Sequence, residues 1–153
     1  MGIGQLSLPV LISLIVTLTA CNDRGSPVAG HLEPGGTTFD HGYRAYDSSG
    51  NLMIVGTLKL VLSDSASVNG TWSTTQVAAS DNVGPQVGTG KLTGTMSGKF
   101  VWLNLNPGWV DNNVFLQGTI ADGRISGTWT WSTYAGISAR GTFEAWIEAT
   151  TLQ

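Results

Sequence analysis

The sequence predicts an all-β protein, an eight-stranded antiparallel up-and-down β-barrel (a meander) that follows an apolar leader and a flexible tether. Three observations carry that prediction. The unit apolar–polar–Gly–Thr–apolar recurs as 54–58, 68–72, 92–96, 116–120, 125–129 and 139–143, beginning with Ile54-Val55-Gly56-Thr57-Leu58. Its first, third and fifth residues share one face of a strand. No ten-residue segment shows a helical period, and short turn-forming clusters separate runs of alternating residues. Charged residues make up only 11% of the 153, and 21 residues are Gly, which suits a small β domain and excludes a polyelectrolyte-type disordered chain.

The leader comes first. Residues 1–22 hold no charged side chain, and Leu6 to Ala20 is mostly Leu, Ile and Val. About 15 apolar residues match a signal-peptide core and fall short of the roughly 20 that span a bilayer. The run ends in Leu18-Thr19-Ala20-Cys21, and Cys21 is the one cysteine of the chain, so no internal disulfide or cysteine-based metal cluster can form. These four residues resemble the lipobox of bacterial lipoproteins. The resemblance implies a signal peptide over 1–20, cleavage between Ala20 and Cys21, diacylglycerol on the Cys21 sulfur, and an acyl group such as palmitate on the new amine. Membrane attachment through Cys21 would follow. Asn22, rather than Asp, follows the cysteine, which by the same resemblance points to the outer membrane of the cell envelope. The start, Met-Gly-Ile-Gly-Gln, departs from the pattern by lacking Lys and Arg. An uncleaved membrane anchor is the alternative, because the uncharged run is just long enough to cross.

Residues 21–36 then read as the lipidated cysteine and a tether. Turn formers dominate them, with a reach of roughly 20 Å. His31 belongs to this linker. The barrel domain occupies 37–153.

Its strands follow in order. Phe39 to Tyr46 leads into the turn Asp47-Ser48-Ser49-Gly50-Asn51. Leu52 to Leu62 alternates, with Ile54, Gly56, Leu58 and Leu60 on one side and Met53, Val55 and Lys59 on the other. Ser67 to Gln76 points Val68, Gly70 and Trp72 inward, and a loop over 79–85 follows. Val87 to Ser97 turns Leu92, Gly94 and Met96 inward. Lys99 to Leu105 places Val101, Leu103 and Leu105 against Phe100 and Trp102. Asn113 to Ile120 ends at Asp122-Gly123, the strongest hairpin signal in the chain. Arg124 to Ser132 carries Ile125, Gly127, Trp129 and Trp131 on one face. Ser138 to Ala149 closes with Ala139, Gly141, Phe143, Ala145 and Ile147 inward. The recurrent inward Gly is expected where a coiled strand passes closest to the crowded interior. Residues 52–147, and the hairpin Asp122 to Trp129 above all, resemble the calycin-type small barrels, in particular the avidin-like ones. No set of polar residues maps onto a biotin site.

Chemistry is sparse. The seven basic residues are scattered and the net charge is −3, which gives no basis for nucleic-acid binding. His41 stands at a barrel entrance beside Asp40, and strand neighbours face opposite ways, so the two form no acid–base pair. No nucleophile, metal signature or cofactor motif is visible; no enzyme, catalytic residue, metal or cofactor is expected. Several Asp residues sit in turns, and Glu144 and Glu148 face outward for solubility. Two readings remain from the aromatics. Trp72, Trp129, Trp131 and Phe143 point inward, either filling the core or touching a small apolar ligand. Phe100, Trp102 and Trp146 point outward, where they could contact another envelope protein.

Overall fold

A computed structural model describes residues 36–63, 65–79 and 82–147. The expected leader over 1–20, Cys21, His31, the tether up to 35 and Glu148 lie outside the described residues.

Eight strands form one closed antiparallel barrel in simple sequence order. They are β1 (Thr37–Tyr46), β2 (Leu52–Leu62), β3 (Ser67–Gln76), β4 (Gly88–Ser97), β5 (Phe100–Asn104), β6 (Asn112–Ala121), β7 (Arg124–Thr133) and β8 (Gly136–Ile147). Closure comes from β1 and β8, which pair from His41 with Ile147 to Tyr46 with Thr142. The eight elements are the ones expected, with ends displaced by one or two residues. β5 is short because Leu105 leaves the ladder, though its amide still reaches the Val114 carbonyl at 2.9 Å. Asp122 and Gly123 take φ of 49° and 72°, the two positive values that a type I′ hairpin requires, and Ala121 pairs with Arg124 across them.

Alternation sends the apolar residues inside. Ile54, Leu58, Leu92, Leu103, Leu116, Ile125 and Ala145 are buried in one continuous core with Trp129 and Tyr43. Outward positions on β3 and β4 are polar: Asn69, Thr71, Ser73 and Thr75, and Thr89, Lys91, Thr93 and Thr95 are all exposed. A membrane-spanning barrel shows the opposite polarity. Met53, expected on the outer side, is buried, because the β1–β2 register shifts there: Ala45 pairs with Ile54 and Tyr46 with Leu52. The bulged residue turns in under the barrel end.

The inward glycines are explained by the neighbouring strand rather than by the barrel axis. A Cβ on Gly70 would run into the Lys59 carbonyl oxygen, and one on Gly141 into that of Tyr46. Glu144, expected merely to solubilise, clamps the closing seam. It accepts the Tyr46 hydroxyl at 2.7 Å, pairs with Arg124, and lies 3.8 Å from Arg44. Its carboxylate, holding that hydroxyl as a donor, is the main reason the Tyr46 pKa is raised.

An even number of antiparallel strands creates two unlike poles. The start of β1, the end of β8 and three tight turns share one end, here called the terminal pole. The other, the loop pole, carries the connections over 47–51, 77–87, 105–111 and 134–135.

Candidate functional site

The loop pole is built around the β3–β4 connection, which folds into the barrel mouth. Val83 and Gln86 are buried, Gln86 with no exposed surface. The Tyr43 hydroxyl donates to Gln86 Oε1 at 3.1 Å, and Gln86 Nε2 donates to the Val83 carbonyl at 2.7 Å. The Thr74 hydroxyl donates to the Gln86 carbonyl. Gly84, at φ 63°, lies against the Trp131 ring, and Asn106 Nδ2 reaches the Pro85 carbonyl at 3.1 Å. Burial pushes the Tyr43 phenol far above its usual pKa, so it stays a donor. The loop is thus a plug whose amide satisfies the polar groups of the mouth.

The inward tryptophans serve the same closure. Trp72 Nε1 donates to the Leu105 carbonyl at 2.6 Å, Trp129 Nε1 to the Tyr46 carbonyl at 2.8 Å, and Trp131 Nε1 to Asn112 Oδ1 at 2.6 Å. Phe143 packs against Tyr43 with ring centroids 6.1 Å apart. Trp72, Trp129 and Phe143 are buried and Trp131 is half-buried. Of the four expected ligand residues, Trp129 and Trp72 each line one of the two clefts described next, and Trp131 and Phe143 line neither.

Two clefts remain beside the plug. One of about 600 Å³ is lined by Met53, Trp129, Ile137 and Ala139, with Asp47, Ser48, Asn82, Ser138 and Arg140 around them. Asp47 is already committed: it accepts from the Asn51 side chain and the Asn51 and Ser49 amides at 2.8–2.9 Å, which lowers its pKa. Arg140 makes no ion pair among the described residues. The second cleft, of about 440 Å³, runs between Trp72 and the exposed Trp109. No group of three His, Cys, Asp or Glu converges as a metal site among the described residues.

No protein-family model matches the sequence, and no curated protein is similar to it. Solved structures do resemble the fold. The rhizavidin–biotin complex superposes with a TM-score of 0.51 at 16% identity, covering 76% of this chain and 96% of that one. Rhizavidin alone gives 0.50 at 14%, covering 78% and 89%. The barrel is avidin-like.

On the outside of this avidin-like barrel, the expected partner patch divides. Phe100 is 61% exposed, and Trp102 stacks on Phe115 with centroids 5.3 Å apart. Trp146 faces outward too, but β6 and β7 separate it from them. It lies flat across Gly42, where a Cβ would meet its ring at 2.5 Å, with the Arg44 guanidinium 4.9 Å from the ring centroid. His41 is buried at the terminal pole, with its imidazole on the inner side of the barrel end. The sequence reading missed Tyr43, Gln86 and Arg140. An inward Tyr43 follows from β1 alternation, whereas a polar loop gives no sign that Gln86 is buried.

Proposed function

We propose that the chain is a lipid-anchored, non-enzymatic binding protein of the bacterial envelope, whose avidin-like barrel takes a small ligand with an apolar body. The observation that carries this reading is the 600 Å³ cleft at the loop pole. It has the size of a small-molecule site and a mainly polar lining of Asp47, Ser48, Asn82, Ser138 and Arg140, with Ile137 and Ala139 as its accessible apolar wall. Arg140 offers that lining a positive charge for an acidic group. Biotin, the ligand named for the rhizavidin complex, is the first compound to try. The lipobox-like residues ending at Cys21 support the anchor.

Calorimetry on the full-length lipidated protein in detergent tests the binding. Saturable uptake of biotin, or of a compound released from the native protein on denaturation, is expected, with loss in Ala139→Trp. Uptake unchanged by that variant, or none at all, overturns the site. Incorporation of labelled palmitate that disappears in Cys21→Ser tests the anchor. A second reading, contact with another envelope protein, is favoured by the exposed Phe100 beside the Trp102–Phe115 stack. Cross-linking from a photoreactive residue placed at Phe100 would support it.

A further inference from the structure

The terminal pole holds a cavity that the loop-pole reading does not use. Its volume is about 160 Å³. Leu60, Val68 and Ile125 form its floor, each nearly without exposed surface, while Ile120 and the half-exposed Ile147 stand at its rim. The remaining lining is hydrocarbon or backbone except for the Met96 thioether and one strongly polar side chain, His41. β1 alternation places that imidazole inside, while its neighbour Asp40 points out to Lys59 at 3.8 Å.

His41 is an anomaly for a core position. Its Nδ1 is buried and has no hydrogen-bond partner. Native interiors rarely leave such an atom unmet, so each case calls for an explanation. We propose that the cup is a second binding site, for a compact hydrocarbon carrying a single hydroxyl and about the size of phenol.

Three features select that class. An apolar cavity of roughly 150 Å³ stays dry and accepts benzene, which sets the size. Desolvation holds the His41 pKa below 6.5, against smaller opposing effects of the Phe39 backbone and the Asp40 charge, so the ring is neutral at neutral pH. A neutral imidazole presents one N–H donor and one acceptor nitrogen. A hydroxyl can donate to one or accept from the other, so it suits either tautomer. A carboxylate would carry an uncompensated charge into an apolar cup, and a pure hydrocarbon would leave Nδ1 unmet.

The test uses the full-length lipidated protein in phospholipid nanodiscs with ¹⁵N-labelled histidine. The chain has two histidines, His31 and His41, and His41→Gln assigns the second. Millimolar phenol is expected to shift the His41 ring nitrogens saturably and leave those of His31 in place. Benzoate at the same concentration should move neither. Val68→Phe, which fills the floor, should weaken the phenol effect at least tenfold, and Ile120→Trp at the rim serves if that variant fails to fold. Ala139→Trp, at the opposite pole, should leave it intact, so the two sites stand or fall separately. An unmoved His41, equal shifts at both histidines, an equal response to benzoate, or a shift that survives the filling substitution would each overturn the proposal. Release of a fatty acid from the cup on denaturation would overturn the ligand class.

Discussion

Tyr43 and Gln86 share one hydrogen bond in a place where neither residue has exposed surface, so removing one partner leaves the other to bear a desolvation cost. Gln86→Leu should lower stability by about 1–3 kcal/mol, read as a shift in the denaturant midpoint at constant m-value. No midpoint change would mean that the plug is not docked in solution. His41 gives a prediction with a sign. Its folded-state pKa lies below the ordinary 6.5, so the unfolded chain binds the proton more readily. The stability that neutral His41 contributes is complete above about pH 6.5 and falls as acidification proceeds toward the folded-state value. Denaturant midpoints between pH 7.5 and 5.5 should drop more for the native protein than for His41→Leu. Equal slopes would sink the idea. The sequence placed Trp72, Trp129 and Phe143 inside correctly, because period-2 alternation decides the face of a residue. It was silent on where each indole N–H goes, since the Leu105 and Tyr46 carbonyls that accept them lie 33 and 83 residues away.

Within single strands, glycine marks where the neighbouring backbone comes closest. Gly141 sits beside both the Tyr46 carbonyl and the Trp129 Nε1 that bonds it, the latter 2.7 Å from a notional Cβ. Gly141→Ala should therefore cost about 1–3 kcal/mol, through displacement of that indole. Gly108, with nothing within 4 Å of its notional Cβ, should accept Ala within about 0.5 kcal/mol. Thermal or urea unfolding of the pair checks the contrast, and equal effects would remove the explanation given for the repeat. The elements were legible because the Gly-Thr units and the Asp122-Gly123 turn fix register locally. The bulge at Met53 was not, since the residue looks like any other in an apolar run, and only the pairing of Ala45 with Ile54 reveals it. The β3–β4 loop was read as a plain connection for a related reason: turn-forming composition describes the backbone path and says nothing about which side chains it inserts.

At the level of the whole barrel, the last strand to emerge completes the first. His41 finds Ile147 across more than 100 residues of chain, and a closed ladder cannot be half made without exposing two edges. Such non-local pairing predicts folding in milliseconds to seconds rather than microseconds, with far-ultraviolet and indole signals changing together in stopped-flow refolding. An indole phase that lags the backbone signal would show the plug docking after closure. The same evenness of strand number has a practical corollary. Because β1 starts and β8 ends at one pole, reporters coupled at Thr38 and Ile147 would sit as neighbours and report on each other, whereas sequences grafted into 105–111 or 134–135 would be displayed at the opposite pole.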